Sequence, residues 1–214
     1  MAMAEFIDIH THSLLGVGKK VISRRLGMEA VAGGDCPQSV GIHPWDANEL
    51  YPTLAELITR LEIVDCVAIG EIGLDKYCKS EFTLQREVFE AQLGIAERRG
   101  LPVVIHSVRA QQEVVEMLSE HKLSSVIFHG FIGSPEQVKQ LVERGWFVSF
   151  GFGALRSPKT MEALRITPLE NIFLESDTDE HPIEELYKAV VQIKNIDLEV
   201  LKSNMENNYY KIFR

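Results

Sequence analysis

Of the seven histidines in this 214-residue chain, His10, His12, His43, His106 and His129 each follow a short apolar run. The first two close the stretch Glu5-Phe6-Ile7-Asp8-Ile9-His10-Thr11-His12. On a strand, side chains alternate faces with a period of two, so Phe6, Asp8, His10 and His12 share one face and Ile7, Ile9 and Thr11 the other. Two imidazoles on one face of a rigid strand end make half a shell for a divalent metal. Taken alone, His-x-His is also the mark of two polar residues leaving a strand for solvent. What favours a metal is that other apolar runs end in ligand types too, with Glu71 after Val67-Ala68-Ile69-Gly70 and Asp177 after Asn171-Ile172-Phe173-Leu174-Glu175-Ser176. Histidines placed without a function would scatter over helix surfaces and loops, and here only His121 and His181 lie outside the pattern.

Six ligands suffice for two divalent ions, zinc, magnesium or manganese, because imidazole and carboxylate donors do not select one metal. One ion can be held by His10, His12 and Asp177 and a second by His106 and His129, with Glu71 bridging through its two oxygens. Such a pair clamps the attacking and leaving oxygens of a displacement and lowers the pKa of bound water toward about 7, which is hydrolytic chemistry. Asp177 is then ligand and general base, and Glu71 shares in catalysis. His43 belongs to no obvious shell and is assigned to a substrate phosphate or leaving oxygen, with a packed histidine before Pro44 as the alternative. Arg109 can pair bidentately with a phosphate, or be a surface arginine at a helix start. Asp75 and Gln85 are candidates for orienting loops, and the role of Glu175 is left open.

Positioning these residues requires many strands that end at one rim. After the first, apolar strands are expected at 21–23, 39–45, 67–70, 101–106, 125–129, 146–150 and 171–177. Helices are expected between most of them: at 50–61, at 83–99 with the stripe Leu84, Val88, Ala91 and Ile95 and a stop at Gly100, at 111–119, from Ser134 to Gly145, at 159–164, and from Ile183 onward. Ser134-Pro135-Glu136-Gln137 has the order of a capping box with proline at the first helical position. Gly33-Gly34-Asp35-Cys36-Pro37 breaks the chain, and too few residues follow His12 to hold an ordinary helix before the second strand. Eight strands in βα alternation imply a (β/α)8 TIM barrel, distorted by an abbreviated first crossover, with its chemistry at the carboxyl ends of the strands. An open doubly wound sheet would call for a glycine-rich phosphate loop after the first strand, which this chain does not have. Residues 1–214 read as a single domain, without repeats or a long linker.

Composition narrows the partners. The chain is 45% hydrophobic and 25% charged, enough for a sizeable core. With 31 acidic against 22 basic side chains, net −9, it lacks the positive surface of a generic nucleic-acid binder. Lys19, Lys20, Arg24 and Arg25 form a small basic cluster, read as a solvated loop. Cys36, Cys66 and Cys78 are odd in number and without a C-x-x-C, which argues against a disulfide framework or zinc ribbon, and Cys66 reads as a buried apolar residue. No apolar run reaches 18 residues and no secretion signal opens the chain, so a cytoplasmic protein is expected, with no membrane association and no obligate protein partner evident.

Together, His10-Thr11-His12, Gly41-Ile42-His43-Pro44, Ile69-Gly70-Glu71-Ile72-Gly73-Leu74-Asp75, Gln85-Arg86-Glu87-Val88-Phe89, Pro102 to Ser107 and Leu174-Glu175-Ser176-Asp177 resemble the TatD-type metal-dependent deoxyribonucleases of the amidohydrolase superfamily. The resemblance runs from the first strand to Asn208 and Phe213, and implies a distorted barrel, divalent metals on the six ligands and phosphodiester hydrolysis of DNA, often from a 3′ end. The chain departs from the family in its short first crossover, in having Val108 where the family carries arginine, and in entering a helix soon after Thr178-Asp179-Glu180-His181 instead of a long substrate loop. These departures fall on substrate contacts, not on ligands. The expected activity is therefore a metal-dependent hydrolase cutting DNA ends or short oligonucleotides. The alternatives are an amidohydrolase acting on a small ester, lactone, amide or phosphoester, and a metal-binding protein without turnover, against which the complete ligand set speaks.

Overall fold

A computed structural model describes residues 4–27 and 36–213. One sheet contains β1 (Ile7–Thr11), β2 (Lys19–Arg25), β3 (Gln38–Gly41), β4 (Ala68–Asp75), β5 (Val103–Val108), β6 (Val126–Phe128), β7 (Phe147–Phe150) and β8 (Ile172–Leu174), hydrogen-bonded in chain order. The β1–β2, β3–β4, β4–β5, β6–β7 and β7–β8 pairs are parallel, and Thr11 is bridged in parallel to Asp177. The helices are α1 (Ala47–Leu50), α2 (Leu54–Ile63), α3 (Phe82–Arg99), α4 (Gln111–Ser119), α5 (Pro135–Val142), α6 (Pro158–Ile166), α7 (Ile183–Lys194) and α8 (Leu198–Ile212). This is the topology of a (β/α)8 barrel. Among the described residues no helix is long and apolar enough to cross a membrane.

The first crossover is short, as the sequence implies: residues 12–18 contain no helix. Gly18, at φ +83°, permits it, because a Cβ there would lie 2.2 Å from the Phe6 carbonyl oxygen, the atom that accepts the Lys19 N–H at 2.9 Å. The basic cluster is not a loop. Lys19, Lys20, Arg24 and Arg25 lie on β2, where Lys20 is buried and Arg25 Nε donates to Asp46 Oδ2 at 2.8 Å. Their long apolar stems let such residues pack on a strand while the charge finds a partner. The break at Gly33-Gly34-Asp35 lies outside the described residues.

The chain divides into two compact units, one running to Ile22 and resuming at Ile127, the other Ser23–Val126. In the first, the seam between β1 and the segment after β8 is closed at three levels. Tyr187 of α7 accepts the Ile7 N–H at 3.0 Å and donates to the Ile7 carbonyl at 2.9 Å. The Asp8 carboxylate accepts the Ser176 N–H at 2.9 Å and hydroxyl at 2.7 Å. Asp177 N–H then donates to the His10 carbonyl at 2.9 Å. β8 stops at Leu174, three residues short of the expected end, because the chain turns its hydrogen bonds toward β1.

In the second unit β4 pairs with β3 and β5 and packs against α3, which ends at Gly100 with φ +64° as expected. Of the expected stripe Val88 and Ile95 are buried, whereas Leu84 and Ala91 are only partly so; the buried face takes Phe89, Leu93 and Ala96 instead, with Gln85 and Gln92, seven residues apart and so on one side of the helix. Gln92 bonds both backbone groups of Ile42, at 2.6 and 3.1 Å, and Gln85 bonds both of Asp75, at 2.8 and 3.0 Å. Buried amides have replaced apolar residues here because the strand ends they face carry unpaired backbone groups that must be satisfied.

Candidate metal centres

In the first unit, alternation along β1 delivers what the sequence anticipates. His10 is fully buried, His12 is partly exposed, and the Nε2 atoms of both converge on Asp177 Oδ1, at 3.7 and 3.6 Å. Asp177 holds a left-handed backbone, φ +51°, unusual for a residue with a side chain, and its peptide is fixed by bonds on both sides: its N–H to the His10 carbonyl and its carbonyl from the His12 N–H at 3.3 Å. Strain over-determined in this way is characteristic of functional positions. The ligand atoms of His10, His12 and Asp177 all lie within 4.8 Å of one another. The His129 ring stacks on His10, centroids 4.2 Å apart, and its Nδ1 is 3.4 Å from Glu175 Oε1.

Two carboxylates here are ones to which the sequence assigns no role. Glu175 is fully buried, and its Oε1 accepts the Gly130 N–H at 2.6 Å. Burial works to raise its pKa, but the histidines His129 and His10 outweigh this and hold it below the ordinary value. Asp8 is dominated by burial, which pushes it up to about 6 against the Ser176 hydrogen bonds. The signal for both was an acid inside an apolar strand, Phe-Ile-Asp-Ile and Phe-Leu-Glu-Ser, since buried charges persist only where they are paired. A cavity of about 830 Å³ lined by Asp8, His12, Lys20, Asp177 and His181 opens beside these candidate ligands. A smaller one of about 280 Å³, lined by Gly151, Phe152 and Glu175, also reaches Asp177.

In the second unit Glu71 Oε1 lies 2.7 Å from His106 Nδ1 and 3.1 Å from His43 Nε2. His106 Nε2 in turn faces Asp75 Oδ2 at 3.1 Å. Burial would raise the Asp75 carboxyl, but hydrogen bonds from His106, Trp45 and the Tyr77 N–H hold it well below the carboxylate range. His43 differs. Its Nδ1 accepts the Trp45 N–H at 3.2 Å, so the neutral ring carries its proton on Nε2, directed at Glu71, and burial lowers its pKa. Although the His43, Glu71 and His106 ligand atoms cluster within 4.8 Å, that tautomer makes His43 a hydrogen-bond donor and leaves Glu71 and His106 as the better ligands. Arg109, at φ +53°, sits over the exposed Tyr77 ring at 5.2 Å. Asp75 emerges as the carboxylate behind His106, a role the sequence could not reveal because the pair is 31 residues apart.

The donor types fit divalent metals: converging imidazole nitrogens and carboxylate oxygens, with a carboxylate behind a ligating histidine, are the usual setting of a hydrolytic ion. Comparisons with known proteins agree with this chemistry. The family model for TatD related DNases matches residues 14–214. An uncharacterized metal-dependent hydrolase of Bacillus subtilis, YabD, is 29% identical over 197 residues, 82% of this chain and 76% of that protein. Human deoxyribonuclease TATDN3 is 28% identical over 199 residues, 81% of this chain and 73% of the relative. The solved structure of the TatD homologue YjjV from Escherichia coli superposes with a TM-score of 0.84 at 25% identity, covering 97% of each chain. Fold, ligand types and these matches agree that the chain belongs to the TatD related DNase family of metal-dependent hydrolases.

Proposed function

We propose that this hydrolase cuts phosphodiester bonds of DNA ends or short oligonucleotides with two divalent ions. The observation that carries the reading is the pair of mixed donor sets, His10, His12 and Asp177 in one unit and Glu71 with His106 in the other. When bound, divalent ions lower the pKa of water toward about 7 and offset charge at phosphorus. Asp177 is assigned to take the proton of the attacking water, and His43, with its proton on Nε2, to donate to a substrate oxygen. Arg109 is assigned to a phosphate, and His129 to the second ion. Free Cys36, Cys66 and Cys78 support a reducing, cytoplasmic location.

Metal analysis with a nuclease assay on single-stranded DNA tests the reading. Two equivalents of bound zinc, magnesium or manganese are expected, with activity abolished by His106→Ala while the thermal melt remains cooperative. Glu71→Gln is expected to lower the stoichiometry, and loss of both equivalents would mark it as the bridging carboxylate. A second reading, hydrolysis of a small ester, lactone, amide or phosphoester, is favoured by Asp179, Glu180 and Glu184 on the wall of the larger cavity, which repel a polyanion. Metal-loaded protein that leaves DNA intact but cleaves such a compound would replace the first reading with the second.

A further inference from the structure

The second unit exposes two large aromatic side chains beside its candidate ligands, and one buried carboxylate bonds the indole of the first and the backbone of the second. Trp45 is 56% exposed and Tyr77 77% exposed. Asp75 Oδ2 accepts the Trp45 indole N–H at 2.7 Å, while Asp75 Oδ1 accepts the Tyr77 N–H at 2.7 Å. The indole ring lies 4.7 Å from the His43 ring and 6.1 Å from that of His106, so it is adjacent to the proposed chemistry. Each aromatic carries an arginine: Arg25 stands 5.9 Å from the Trp45 ring and Arg109 5.2 Å from that of Tyr77. Arg25 is neutralised by its ion pair with Asp46, which makes it a buttress for the indole. Of these two arginines, Arg109 is the one assigned to a phosphate.

Exposed aromatic rings beside arginine are the means by which single strands are gripped irrespective of sequence, because every base offers a face to stack on. We propose that Trp45 and Tyr77 form a stacking platform for the bases of a single-stranded nucleic acid, with Arg109 on its backbone. This deepens the nuclease reading and rests on it for the nature of the substrate. It also eases the charge problem, since in a chain of net −9 base stacking adds to what the metal sites and Arg109 supply toward holding a polyanion.

The test is binding of a short oligothymidylate with phosphorothioate linkages, which resist cleavage by the metal-loaded protein, against an abasic strand of the same length. Wild type is expected to bind the base-containing strand more tightly, with quenching of Trp45 fluorescence. Trp45→Ala and Tyr77→Ala should each weaken it about 5- to 160-fold, the range for one stacked base. Trp45→Phe should restore affinity without the quench, and Tyr77→Ala, an exposed position, guards against a folding artefact. A fourfold rise in salt should weaken binding only about threefold, as for one phosphate contact on a single strand. Equal affinity for the abasic strand, or wild-type affinity in Tyr77→Ala, overturns the platform. Cleavage of ordinary DNA by wild type is scored separately, so a failed platform and a failed nuclease reading give different results.

Discussion

Asp75→Asn distinguishes a carboxylate that supports a metal ligand from one that merely ties a loop. Asp75 accepts from the Trp45 indole at 2.7 Å, His106 Nε2 at 3.1 Å, and the N–H groups of Tyr77 and Cys78 at 2.7 and 3.2 Å. Asparagine offers one oxygen. If that oxygen serves Tyr77 and Cys78, its NH2 opposes the indole N–H, and His106 Nε2 must accept where it had donated. The imidazole proton then moves to Nδ1, the nitrogen 2.7 Å from Glu71 Oε1, and the lone pair needed there for a cation is lost. Divalent-metal affinity should fall about 10- to 100-fold, the usual cost of removing a carboxylate behind a ligating histidine. The opposed donor should cost about 1–3 kcal/mol of stability, a melting shift of about 2–12 °C for a chain of this size.

The assays are chelator-competition titration of the metal, and thermal melts with and without EDTA. Because the folded Asp75 carboxyl sits below its unfolded value, its stabilisation is complete above the ordinary carboxyl range near about 4 and is lost as pH falls through the lower folded value. Asparagine has no such dependence, so the stability gap between the two proteins should close in acid. A variant that melts lower yet binds metal as tightly as wild type would refute the tautomer argument and leave Asp75 as a loop tie.

Gly73→Ala should destabilise the end of β4, because Gly73 holds φ +143° and a Cβ there would lie 2.0 Å from the His106 carbonyl oxygen; a cost of about 1–3 kcal/mol with weakened metal retention is expected by urea titration and metal analysis. Tyr187→Phe strips both backbone groups of Ile7 of their partner at the start of the strand that carries His10 and His12, and should cost about 1–3 kcal/mol in chemical unfolding. Lys194, pulled down to about 8 by burial and then by nearby Arg165, is protonated in both states below that pH and only in the unfolded chain between about 8 and 10.5. Relative to Lys194→Met, wild type should therefore gain stability as pH rises through that window, as measured by denaturant midpoints.

Features set by local chemistry are legible in the sequence. The period of a strand put His10 and His12 on one face, and the order Ser134-Pro135-Glu136-Gln137 became a capping box with Ser134 Oγ and Gln137 N at 3.3 Å. Gly100 stopped α3, because only glycine enters the left-handed region without strain. Illegible features depend on pairing across the fold. Gln85 and Gln92 interrupt the stripe of α3 because each completes the backbone bonds of a strand end, and neither partner can be identified from spacing. The sequence leaves His43 between a substrate contact and a packed histidine and cannot give it a proton, since its tautomer is set by Trp45 N–H on one side and Glu71 on the other. The acids most easily overlooked, Asp8, Asp75 and Glu175, are buried carboxylates that bond a serine, a histidine with two loop amides, and a histidine with a glycine amide. They share one physical property: each is an acid in or at the end of an apolar strand, where a lone charge would be costly to bury. In such a sequence the exceptions to apolar patterning mark the residues that hold the candidate ligands in place, and these exceptions can be named before any partner is known.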